Sequence, residues 1–124
     1  MVFSVEWYEE LCEKLAAIGQ GNWQVRVEFA VRDDLVGELG RTFNALAEGL
    51  ERFSQNPAAE RSSARHALKN ALAGLAASAY VLAERATTPA ERQGLQAVVE
   101  EARRIAPRLP EWLPTEEESG ANHH

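Results

Sequence analysis

The chain has 124 residues, 45% hydrophobic and 26% charged, with a formal charge of −6 at pH 7, which fits one ordinary domain or two small helical modules and no disordered class. The acidic balance argues against nucleic acid as main partner, because phosphate binding needs a basic surface. A single cysteine, Cys12, excludes an internal disulfide and a cysteine-based metal site and suits a reducing cytoplasm.

Residues 4–18 open a helical pattern. Val5, Tyr8, Cys12 and Leu15 follow 3-4-3 spacing, Leu11 and Ile18 widen the stripe, and Gly19 and Gly21 stop it. In the following NWQVRVEFAVRDD, Trp23, Val25, Val27, Phe29 and Val31 alternate with mostly polar residues, the period of a half-buried strand. No second strand candidate exists, and a lone strand leaves its backbone groups without a sheet partner. The expectation is therefore an extended connector laying its apolar face on helices, with a short intermolecular strand pair as the alternative.

From residue 34 to 53, Val36, Leu39, Phe43, Leu46, Leu50 and Phe53 step 3-4-3-4-3, a narrow coiled-coil seam that Asp33 or Asp34 can cap. SQNPAAE, residues 54–60, interrupts it. Pro57 removes a backbone donor, disfavours helix at Asn56 and suits the first turn of a new helix capped by Asn56. Leu68, Leu72, Leu75, Ala79 and Leu82 then step 4-3-4-3. RATTPAE turns the chain, with Thr88 as cap and Pro89 at the first helical position. Leu95, Val98, Ala102, Ile105, Leu109 and Trp112 step 3-4-3-4-3, which completes an antiparallel hairpin. Pro107, Pro110 and Pro114 are expected to fray or end this last helix, and residues 115–124 to form a mobile acidic tail.

A two-helix hairpin cannot bury such a seam alone. Either a homodimer builds two stacked four-helix bundles, or one chain closes a single bundle. The proline break between the hairpins favours the homodimer. The expected fold is all-α, with two helical hairpins per chain, parallel and antiparallel bundles, and an extended connector.

His66 is the candidate reactive group. With Leu68 at 0° and about 100° per residue, Leu72, Leu75, Ala79 and Leu82 fall within about 40°, while His66 lies about 160° away, Asn70 on the same outer face and Lys69 on its flank. An exposed imidazole titrating near neutrality, beside a cation and an amide, can accept a phosphoryl group or can be an ordinary surface residue. GxxxxGK[ST], GxGxxG and HExxH motifs are all missing, so no cofactor or metal is implied. His123 and His124 are weak metal candidates at most.

RHALKNALAGLAASAYVL, residues 65–82, resembles the first helix of the dimerisation and histidine phosphotransfer domain of bacterial sensor histidine kinases, matching at His66, Leu68, Lys69, Asn70 and Leu72. VVEEARRIAPRL resembles its partner helix. Residues 15–50 are similar to a HAMP domain: DLVGELGRTFNAL carries Asp34, Gly37, Leu39, Phe43 and Asn44 at the family spacing. The resemblance implies a HAMP-like relay module over residues 1–53, a phosphoacceptor hairpin over 54–114 and an acidic tail over 115–124. It also implies a homodimer, His66 as phosphoacceptor, Lys69 offsetting phosphate charge, Asn70 orienting water or the phosphoryl group, and a receiver domain or separate ATP-binding domain as partner. Ala67 replaces the usual acid after the histidine, Ala71 the common proline and Leu35 the usual HAMP glutamate, and Pro57 interrupts a helix that is normally continuous. No ATP-binding domain follows, so no autonomous kinase activity is expected. The alternatives are a non-catalytic interaction protein that pairs with itself or with intact kinases, and a standalone phosphotransfer protein. No apolar run spans a membrane and no leader pattern opens the chain. The expectation is a cytoplasmic piece of a receptor or a soluble variant.

Overall fold

Asp34 and Thr88 start two of the helices. Asp34 Oδ1 accepts the Gly37 N–H at 2.9 Å, and Thr88 Oγ1 accepts the Glu91 N–H at 3.2 Å with Pro89 in the first turn. Each cap satisfies a donor that the first turn leaves unpaired. The computed structural model describes residues 6–54 and 58–113, without the side chains of 58–60. Its helices are α1 (Trp7–Gly19), α2 (Leu35–Phe53), α3 (Ala58–Glu84), α4 (Pro89–Ile105) and α5 (Leu109–Trp112), with 3-10 turns at Phe29–Val31 and Ala106–Arg108. The described residues contain no strand, and no helix among them is long and apolar enough to cross a membrane. Val5, Asn56, Pro57, Pro114 and the expected acidic tail lie outside the described residues.

Segment 20–34 packs as a connector and decides the topology. Lys14 Nζ donates to the Arg26 carbonyl, the Glu28 N–H donates to Glu10 Oε2, and Trp7 meets Phe29 edge to face at 5.7 Å. The connector therefore runs antiparallel to α1. Phe29 sits on Gly40, and Val27 bonds Asn44, so it runs antiparallel to α2 as well. Helices α1 and α2 are consequently parallel. Tyr8 rests on Gly94 and Gly19 lies beside Ile105, which makes α4 parallel to α1. Only α3, joined to α4 by the turn at 85–88, runs the other way.

One core collects the seams of all four long helices. Leu11, Leu15 and Ile18 of α1 meet α4, while Leu39, Phe43, Leu46 and Leu50 of α2 meet α3, and all are fully buried. Leu68 seats against Gly49, where a Cβ would strike it. Leu72, Leu75 and Ala79 of α3 and Leu95, Val98 and Ala102 of α4 are buried where these two helices pack together. Within one chain, α1 thus packs on α4 and α2 on α3, so the seams cover one another.

Three details differ from the expected patterns. Val31 is 89% exposed, because the 3-10 turn at Phe29 ends the two-residue alternation. Cys12 is only half-buried, and Leu11 takes the centre of the α1 stripe. Helix α4 does end before Pro107, but the chain continues through the 3-10 turn into α5. Leu109 and Leu113 are buried there, and Arg108 donates to the Gly19 carbonyl at the end of α1. The Arg108 guanidinium also covers the Trp112 ring, which packs edge-on against Trp23 at 5.4 Å. A cation at the C-terminal carbonyls of a helix is favourable.

Two glycine substitutions separate close packing from open surface. At Gly37 an added Cβ would collide with the Arg32 carbonyl, so Gly37→Ala should cost about 2 kcal/mol or more by overpacking. Gly74 has open space around it on α3, so Gly74→Ala should gain about 0.5–1 kcal/mol. Urea unfolding of both variants against the parent measures the opposite signs.

Candidate functional site

The inward row on α3 determines what faces outward. With Leu68, Leu72, Leu75 and Ala79 buried, His66, Ala67, Lys69 and Asn70 are all exposed. Helical side chains lean toward the N-terminus, so the His66 ring covers the preceding turn and the Lys69 stem reaches back toward residues 65 and 66. A shallow depression forms there, lined by Ser62, Ser63, Arg65, His66 and Lys69. Arg65 and Lys69 also border a second depression against Pro107, Leu109 and Pro110. Among the described side chains no carboxylate lines either one, and α3 carries no Asp or Glu from Arg61 to Ala83. A local basic face thus stands on a chain of net charge −6, a setting that favours an anion. The structure brings His66 and Lys69 together. Asn70 is exposed on the other flank and does not line the depression.

The second group of sequence-predicted residues fastens the connector to α2. Asn44 Oδ1 accepts the Val27 N–H at 2.8 Å, and its Nδ2 donates to the Val27 carbonyl at 3.1 Å. One side chain thereby satisfies both backbone groups of a buried residue that has no sheet partner. Leu39 and Phe43 are buried beneath it. Asp34 caps α2, and Gly37 lets the chain at Arg32 pass against the helix. The Gly37 N–H bond, and next the bond from Arg32, hold the Asp34 carboxyl below its usual range against a small opposing effect of burial. Asp34 and Gly37 belong to the far end of α2, roughly 20 Å along the helix from Gly49, which meets Leu68 two residues beyond His66. The two groups of predicted residues therefore form separate places.

Sequence reasoning missed several contributors. Ser62 and Ser63 were legible from the lean of helical side chains, since they precede His66 by about one turn, and Arg65 is its neighbour in the chain. Arg41, which donates to the Ala30 and Arg32 carbonyls, and Arg26, which bonds the Trp23 and Val25 carbonyls and Glu51, had no such signal. Burial pushes the Cys12 thiol up, Glu101 adds to this and Arg104 opposes it, so Cys12 is a poor nucleophile. Among the described residues no group of three or more His, Cys, Asp or Glu could hold a metal. A larger groove of about 490 Å³ between α3 and α4, at Tyr80, Arg92 and Arg103, contains none of the predicted residues.

No family model matches the chain, and neither a curated protein nor a solved structure is significantly similar to it.

Asn44→Ala should cost about 2 kcal/mol, because both Val27 backbone groups lose their partner in a buried setting; denaturant midpoints read the loss. Asp34 yields a pH dependence of known sign. Its folded pKa lies below the ordinary 3.8, so its stabilisation is complete above that value and lost as pH falls through the lower folded value. The Tm difference between the parent and Asp34→Asn should therefore shrink between about pH 5 and about pH 2.

Proposed function

We propose that this chain is a phosphotransfer module of two-component signalling in which His66 accepts a phosphoryl group. The supporting observation is the exposed imidazole beside Lys69 in a depression that both line. A neutral imidazole nitrogen attacks phosphorus on a receiver phosphoaspartate, or the γ-phosphorus of ATP held by a separate kinase domain. The P–O bond breaks, and its electrons leave with the aspartate carboxylate or with ADP. The proton on the other ring nitrogen passes to water, because Ala67 stands where an accepting acid is usual. Lys69 offsets the phosphoryl charge, while Asn70 approaches from the opposite flank and orients water.

The parallel pair α1 and α2 with its connector takes the part of a HAMP-like relay in this reading. Its support is the Leu68 side chain seated against Gly49, two residues from His66. A second copy would pair through faces outside the core, such as the one carrying Tyr80 and Val81, 57% and 39% exposed. A second reading, a non-catalytic interaction protein, is favoured by Ala67 in the acid's place.

The test is incubation with a phosphorylated receiver domain, or with a separate ATP-binding domain and ATP, followed by assay of acid-labile phosphate. Label is expected on the parent chain and not on His66→Gln. An unlabelled parent, with His66→Gln unchanged in every signalling assay, leaves only the non-catalytic reading.

A further inference from the structure

We infer that the hydroxyls of Ser62 and Ser63 form the phosphoryl-binding edge of the His66 site, opposite Lys69; the inference rests on His66 being the phosphoacceptor. Both serines are exposed, and both line the depression that holds His66. They precede the histidine by four and three residues, the two spacings that bring helical side chains onto one face. The backward lean of the imidazole carries its ring over their turn, so a phosphoryl group on the ring lies nearer to residues 62 and 63 than to any residue after 66. Lys69 leans the same way and closes the site from its C-terminal side.

This arrangement offers the phosphoryl oxygens two neutral donors and the Lys69 cation, with Arg65 also at the rim. A hydroxyl can donate to the dianion without adding a charge, and donors to an anionic form lower its proton affinity. They also resist P–N cleavage. In a loose transition state the departing phosphoryl group carries less negative charge on its oxygens than the bound dianion does, so donors fixed on those oxygens favour the bound state.

Phosphoramidate tests the site without a partner protein. The His66 nitrogen attacks its phosphorus, the phosphoramidate P–N bond breaks, and nitrogen leaves as ammonium with the imidazole proton. Phosphorus NMR then follows the ionisation and lifetime of the phosphohistidine. Ser62→Ala/Ser63→Ala should raise the second phosphoryl ionisation and shorten the half-life about 25-fold, about fivefold for each of the two hydrogen bonds of ordinary strength that are lost. Ser62→Thr/Ser63→Thr, which keeps both hydroxyls, should restore both. Alanine at these exposed helical positions favours helix, and circular dichroism confirms that the fold is retained. A labelled chain whose ionisation and lifetime ignore the alanine substitutions overturns the serine assignment alone. A parent chain with no phosphohistidine resonance overturns the phosphoacceptor reading beneath it.

Discussion

A helix with one narrow apolar seam is stable only while that seam is covered, and in this chain four such seams cover one another. Leu11 and Ile18 on α1, Phe43 and Leu50 on α2, Leu72 and Leu75 on α3, and Leu95 and Ile105 on α4 share one interior. Every outward-facing feature follows from that closure. Once α3 is committed on its inner side to both α2 and α4, its remaining surface is the face carrying His66, Lys69 and Asn70.

In this bundle α1 and α2 run parallel, so the segment between them must return along both. That segment cannot pair as a sheet, and its backbone groups need other partners. Asn44 supplies two of them at Val27, Lys14 takes the Arg26 carbonyl, and Arg41 takes those of Ala30 and Arg32. The motif residues Asp34, Gly37 and Asn44 therefore have a structural purpose that does not depend on signalling. The same attachments are compatible with a relay, because they tie the position of α2 to that of α1 and bring α2 against the helix of His66.

Electrostatics divides the molecule in a similar way. The chain is acidic in total, yet α3 carries Arg61, Arg65 and Lys69 and no Asp or Glu from Arg61 to Ala83. A net charge describes solubility and long-range steering, while a local row of like charges describes what a site can hold. The depression at Ser62, His66 and Lys69 lies on that row, so an anion is the group it suits.

The periodicities of α2, α3 and α4, the Thr88–Pro89 start and the outward direction of His66 were legible in the sequence, because each depends on residues within a few turns of one another. The cap at Asp34 and the rejection of a lone strand belong to the same class. Val31 escaped because a 3-10 turn breaks a period that sequence alone continues, and the helical chain beyond Pro107 escaped because Arg108 reaches across to Gly19. Spacing by itself left open whether the two seamed hairpins would pair with a second chain or with each other, since a seam specifies only that it be covered. The tertiary structure decided how the seams meet within one chain, through contacts distant in sequence: Leu68 against Gly49, Tyr8 against Gly94, and one amide side chain satisfying a connector that has no sheet to join.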